Sequence, residues 1–191
     1  MIPFRFLLLL TTVLAISGVV SCKSAPAKSF YVLTADGPVP SGSGAGIGVG
    51  PVLVAGYIDR PNLVMQESGH RLAVAESHRW AGKLEENLAR VLSTNLGRRL
   101  NTGNIRSYPW DTDEGLKYQV TVDLHQLHGN ADGDAFLEAS WRVYSLPDRK
   151  LLTTRSWSGT EALKADGYDE LVAAESRLVS QLATEIAKGM K

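Results

Sequence analysis

The chain is nearly free of cysteine: Cys22 is the only one in 191 residues. A secreted domain with one thiol cannot form an internal disulfide, so a packed core must hold the fold, and the odd thiol needs another reason. An excess of charge is also missing. Twenty Lys and Arg balance 20 Asp and Glu, which leaves no electrostatic footprint for a nucleic-acid partner. Histidine is scarce, at four residues. No G-x-S-x-G elbow and no H-E-x-x-H helix is present, which removes two common hydrolase signatures. Carboxylates are plentiful, but a pair flanking one bond cannot be picked out without geometry. No catalytic residue, metal site or cofactor is therefore assigned.

Long apolar runs are absent too, with one exception at Phe6–Val20. Arg5 precedes this run and small residues follow it, the layout of a secretory signal. As a helix it would reach about 22 Å, short of the roughly 30 Å hydrocarbon core, so a permanent span is not expected. Val19-Val20-Ser21-Cys22 resembles a bacterial lipobox, in which the thiol receives diacylglycerol and the chain is cut before it. Two other readings compete: Cys22 as a passive residue of an uncleaved anchor, and Ala25-Pro26-Ala27 as an ordinary cleavage site that discards it. Acylation accounts for the solitary thiol. The expected organisation is a signal peptide over 1–21, an acylated N-terminus and tether over 22–28, and one domain over 29–191. Lys23, not aspartate, follows the cysteine, which resembles the proteobacterial pattern sent on to the outer membrane.

Glycine is concentrated in Ala35–Pro51, where every second residue from Gly42 to Gly50 is glycine. The G-x-G-x-x-G spacing of a phosphate loop is absent. The alternation instead places the glycines on one face of an extended segment, where a neighbouring backbone can come close.

Period-two patterns predict strands at Ser29–Leu33 and Ile47–Ile58, and a hairpin of Leu63–Gln66 and Arg71–Ala75 around Ser68-Gly69-His70. From Trp80 the period becomes 3.6: Trp80, Leu84, Leu88, Val91, Leu92, Leu96 and Leu100 form one stripe, with Arg98 and Arg99 off it. Ser77 is the expected N-cap and Gly103 the expected stop. Strands return around Tyr118–Leu124, Leu137–Val143 and Leu151–Trp157, and a last helix starts near Tyr168. The expected fold is a single α+β domain, a largely antiparallel sheet with two helices packed on one face. His125 and His128, three apart on a strand, are expected on opposite faces, and His70 and His78 are expected in solvent. Asn130–Asp134 reads as a turn, because its glycine and glutamate do not fall where a calcium loop needs them.

One short stretch interrupts this regularity. Tyr57-Ile58-Asp59-Arg60-Pro61 ends an apolar run with an acid, a base and a proline, which excludes an ordinary strand or helix interior. "GPVLVAGYIDRPNLVMQ" followed by "RLAVAESHRWAGKLEENLARVLSTNL" resembles the signature region of the ABC-type transport auxiliary lipoproteins, the family of paraquat-inducible lipoprotein C. The family's Tyr-(Leu/Ile)-Asp-Arg-Pro segment falls on Tyr57–Pro61, and its helix-initiating tryptophan on Trp80. "FYVL" at Phe30–Leu33, the lipobox and the closing helix also match. The departures are the glycine-rich insert before Pro51, and Met65-Gln66-Glu67 where an arginine often follows.

The resemblance implies a non-enzymatic outer-membrane lipoprotein that faces the periplasm. It would be held in the membrane by the lipid on Cys22 and would work with an MCE-type tunnel protein or ABC transporter components to move lipids or other hydrophobic molecules between membranes. A homo-oligomer follows from the same analogy. Two other functions stay open from the residues alone. One is a lipid- or peptidoglycan-binding lipoprotein acting alone, with Trp141, Tyr144 and Trp157 lining an apolar concavity; the other is an unrecognised periplasmic hydrolase. For Tyr57, Asp59, Arg60 and Pro61 two readings stand side by side. They form a partner-binding surface, or a structural latch in which an Asp59–Arg60 ion pair holds the strand exit.

Attachment through Cys22 can be tested directly. Radiolabelled fatty acid is expected to enter the wild type and not Cys22→Ser; equal labelling of both would refute it.

Overall fold

The computed structural model describes residues 27–190; the expected signal peptide and Cys22 lie outside them. Eight strands form one sheet: β1 (Ser29–Tyr31), β2 (Gly46–Val54), β3 (Asn62–Ser68), β4 (Arg71–Trp80), β5 (Ile105–Ser107), β6 (Leu116–Asn130), β7 (Asp134–Ser145) and β8 (Lys150–Ala162). Helix α1 (Leu84–Arg99) follows β4, and α2 (Tyr168–Lys188) closes the chain. Both helices contact each other and the same face of the sheet, α1 over β2 and β5, α2 over β7 and β8.

The α+β class and the two helices agree with expectation, but the sheet is mixed and not largely antiparallel. Four of its seven strand pairings are parallel: β1 with β4, β2 with β5, β2 with β6 and β3 with β6. Only β3–β4, β6–β7 and β7–β8 are antiparallel. Hydrophobic alternation reports which face of a strand is buried; it carries no information on the direction of the neighbour.

The inner face of β6 and β7 carries Val120, Val122, Leu124, Leu137, Ala139, Trp141 and Val143, all buried against Leu88, Leu92, Leu96, Leu171, Leu178 and Leu182 of the helices. Tyr144, one residue beyond Val143, belongs to the outer face, and Trp157 lies over Gly159 near Leu178. Trp141, Tyr144 and Trp157 therefore line no common concavity.

Helix α1 begins later than the pattern suggests. Trp80 is the last residue of β4, and its N–H donates to the Pro61 carbonyl at 2.7 Å. It mimics a helical position because it sits four residues before Leu84 and both are buried. Ser77 is thus in a strand and caps nothing; Lys83 occupies the N-cap without a side-chain hydrogen bond. The helix ends at Arg99, and Asn101 takes the positive φ of 49° expected of Gly103. Asparagine tolerates that region better than other non-glycine residues. Its side chain also accepts the N–H groups of Ser41 and Gly42 at 2.9 and 3.0 Å.

The alternating glycines behave as expected. A Cβ on Gly48 would lie 2.6 Å from the Trp110 ring, and one on Gly44 2.8 Å from the Leu100 carbonyl. The 101–115 segment therefore packs directly on the backbone of the glycine stripe. Arg99 is not in solvent: its guanidinium bridges from α1 to Thr184 and Ser180 of α2, and pairs with Asp36 at 3.1 Å.

Glu175 is the one acid at the centre of the α2 core face, 2% exposed, with no hydrogen-bond partner for Oε2. Burial pushes its carboxyl from 4.5 up to about 8. Between those values the folded state holds a proton that the unfolded state releases, so this residue lowers stability as pH rises through the window. Glu175→Gln is expected to melt above the wild type at pH 8, the gap shrinking toward pH 5 in thermal denaturation. A gap independent of pH would show that the carboxyl is not held neutral.

Candidate docking site at the YIDRP turn

The turn forms where one strand edge changes partner. β2 runs parallel to β6 as far as Val54 opposite Leu124, and the Ala55 N–H still donates to the Leu124 carbonyl at 2.9 Å. β3 takes up the same edge of β6 only at Met65 opposite Gly129. Between them the register of β6 against β7 shifts at His125, the extra residue of a bulge. The Tyr57 hydroxyl donates to the carbonyl of this bulge residue at 2.8 Å. The first residue of the motif thus ties the turn to the backbone of the bulge, where ladder pairing is locally disrupted. Burial, with the Glu138 carboxylate nearby, holds the Tyr57 phenol above its usual value, so it remains a donor.

The rest of the motif folds tightly on itself. The N–H groups of Ile58 and Asp59 both donate to the Ala55 carbonyl at 3.0 Å, and that of Arg60 to the Ile58 carbonyl at 2.8 Å. Ile58 is driven into the core at 1% exposure. Arg60 donates its Nε to the Tyr57 carbonyl at 2.8 Å. The expected Asp59–Arg60 ion pair is not formed among the described residues; the guanidinium binds backbone instead, and Asp59 is left exposed. The latch exists, but Tyr57, Ile58 and Arg60 make it, not the charge pair.

Opposite the turn lies the start of α1. Asp59, Arg60 and Pro61 on one side, and Gly82, Lys83, Leu84 and Glu85 on the other, enclose an open cleft of about 530 Å³ with Trp80 at its base. Charges of both signs line it, and Lys83 pairs with Glu86 at 3.7 Å. The sequence reading named the turn and missed the second wall, because it ran the helix back through Trp80. Gly82 was the available signal: its φ of 121° breaks the chain between strand and helix.

The histidines also differ from expectation. The bulge changes the parity of β6, so His125 and His128 share the outer face: His125 reaches Ser140 at 3.0 Å, and His128 reaches Gln126 at 3.1 Å. Burial pushes the His128 imidazole down. His78 is not in solvent; it accepts or donates a hydrogen bond with the Tyr31 hydroxyl at 2.7 Å and stacks on Tyr168. Among the described residues no three potential metal ligands converge. Asn130 Oδ1 accepts the N–H groups of Asp132 and Asp134, which makes that segment the turn it was expected to be.

A mixed sheet covered on one face by two helices, with an open cleft beside the turn from β2 to β3, is the architecture in which the motif sits. The chain belongs to the ABC-type transport auxiliary lipoprotein family, whose model matches residues 31–187. It is 26% identical over 140 residues to the intermembrane transport lipoprotein PqiC of Escherichia coli (strain K12), an alignment covering 73% of this chain and 72% of that one. The PqiC of Shigella flexneri matches to the same extent. Two crystal structures share the fold. An uncharacterised protein, 22% identical, superposes with a TM-score of 0.74 over 87% of this chain and 100% of its own. Protein XCC0632 from Xanthomonas campestris, 16% identical, gives 0.67 over 83% and 92%.

The division of labour inside the motif predicts unequal mutational costs. Ile58→Ala should destabilise the domain by about 2–5 kcal/mol, as a cavity in a packed core does, whereas Asp59→Ala should stay within about 0.5 kcal/mol. Denaturant titration of both variants checks this.

Proposed function

We propose that this protein is an outer-membrane lipoprotein, acylated at Cys22 and facing the periplasm. It serves as a non-enzymatic auxiliary component of an ABC/MCE-type system that moves lipids or other hydrophobic molecules between membranes. It docks the tunnel protein of that system through the cleft formed by Asp59, Arg60 and Pro61 with the first turn of α1. Family membership supports the auxiliary role, and the name of the Escherichia coli relative supports intermembrane transport as the process.

The observation that carries the docking assignment is the position of Asp59. The turn around it is locked by Tyr57, Ile58 and Arg60, while Asp59 projects from a rigid backbone with no ion pair among the described residues, at the mouth of the largest of the described clefts. A rigid scaffold presenting an unengaged charge is suited to recognition, since little conformational entropy is lost on binding. Reading the protein as a solitary lipid binder has less support, because the three aromatic residues it relied on do not converge.

The test separates docking from latching by choosing residues that do only one of the two. A photo-crosslinker at Asp59 in cells should capture an MCE-domain protein, identified by mass spectrometry. Asp59→Lys should weaken that capture at least several-fold with an unchanged melting midpoint, because reversing a charge at an interface opposes association. Arg60→Glu should lower both the capture and the midpoint, since it also removes the clamp on the Tyr57 carbonyl. Undiminished capture by Asp59→Lys would end the docking assignment.

A further inference from the structure

The face of the sheet opposite the helices is not uniformly polar. Phe30 on β1 is 62% exposed, and Leu72 and Val74 on β4 are 36% and 40% exposed. All three belong to this outer face. Phe30 sits opposite Arg79 and alternates with Tyr31, whose partner Trp80 is buried under the helix layer. Leu72 and Val74 sit opposite Gln66 and Val64, which alternate with the inner-facing Met65 beside Gly129 and Leu171. β1 forms the sheet edge, with β4 and β3 next to it. This face therefore presents aliphatic side chains near the β3–β4 hairpin and an aromatic one at the other end of β4, where Arg79 lies opposite Asn62 beside the YIDRP turn.

The Phe30 end of this face carries a cation without an ion-pair partner among the described residues. Arg79, opposite Phe30, forms no ion pair among the described residues, and its Nε is buried without a hydrogen bond. Of the acids on these strands, Glu67 at the hairpin pairs with Arg71 at 2.6 Å, and Glu76 is exposed on β4 between Val74 and Arg79. An apolar patch with an unpaired guanidinium suits a surface that offers hydrocarbon and phosphate together, since arginine lays its stem on apolar ground and extends its head to an anion.

Chain length identifies that surface. Ser29 begins β1, and Cys22 lies seven residues earlier in the sequence. Seven residues span at most about 25 Å when fully extended. An acylated Cys22 therefore keeps this corner within about 25 Å of the bilayer, and β1, running parallel to β4 with Ser29 opposite His78, enters from the side of the β3–β4 hairpin.

We propose that the outer face of the β1, β4 and β3 corner rests on the lipid surface. Phe30, Leu72 and Val74 enter the interfacial region, and Arg79 meets lipid phosphate. The helix layer, which carries one wall of the YIDRP cleft, then faces away from the membrane toward the periplasm. The patch also adds to the membrane affinity of the acyl chains, because buried apolar area and lipid anchors act together. This rests on the reading of Cys22 as the lipid anchor.

Because Cys22 would be acylated, a cysteine introduced elsewhere is the only free thiol, which makes the proposal testable in the full-length lipoprotein. Leu72→Cys and Glu86→Cys, the latter exposed on α1, are each labelled with an environment-sensitive fluorophore. They are reconstituted into phosphatidylethanolamine and phosphatidylglycerol vesicles that contain a lipid with a spin label near its headgroup. The label at position 72 should shift to shorter wavelength and lose most of its emission, while the label at position 86 should change little. Equal quenching at both sites, or quenching at 86 alone, would overturn the orientation, as would a position-72 label that stays water-like in protein shown to float with the vesicles. Failure to float at all would count against the lipid anchor itself.

Discussion

The architecture depends on how the long strand β6 shares its backbone hydrogen bonds. One edge is paired with β7 along nearly its whole length, but the other is divided between β2, as far as Leu124, and β3, from Gly129. Leaving backbone groups unpaired inside a sheet is costly. The chain handles the gap with a bulge at His125 and with the Tyr57 hydroxyl, which reaches the His125 carbonyl. The Tyr57–Pro61 excursion is thus the device that lets two consecutive strands follow the same edge of β6 in the same direction. Tyrosine suits the first position because it combines a stiff reach with a terminal hydroxyl. Proline suits the last because its carbonyl remains available to the Trp80 N–H while its ring limits the backbone.

A consequence is that packed atoms and cleft-facing atoms adjoin in one turn. Ile58, the Tyr57 hydroxyl and the Arg60 Nε engage protein, whereas Asp59 and Pro61, together with Arg60, line the cleft. The two readings of the motif therefore draw on different residues of it.

The helices are tied by comparable economy. Arg99, placed by periodicity on the polar side of α1, joins Thr184, Ser180 and Asp36, so the last turn of α1 is bound to the middle of α2 and to the loop after β1. On the opposite side of the sheet the glycine stripe admits Trp110 against the backbone, which anchors the segment after β5. One layer is held by polar bonds across helices, the other by the absence of side chains.

Element types, the outer hairpin, the single apolar stripe of each helix and the importance of Tyr57–Pro61 were legible in the residues alone, because they arise from local periodicity and from the fixed chemistry of proline and glycine. The glycine stripe was legible for the same reason. Strand direction, the bulge that brings His125 and His128 to one face, the start of α1 beyond Trp80, the burial of Arg99 and Glu175, and the second wall of the cleft were not. Each of these depends on a partner remote in sequence: β7 for the bulge, Pro61 for Trp80, α2 for Arg99. Local pattern specifies what a residue prefers to face. Only the assembled sheet decides which neighbour is there to be faced, and whether a charge meets water, a backbone carbonyl or nothing at all.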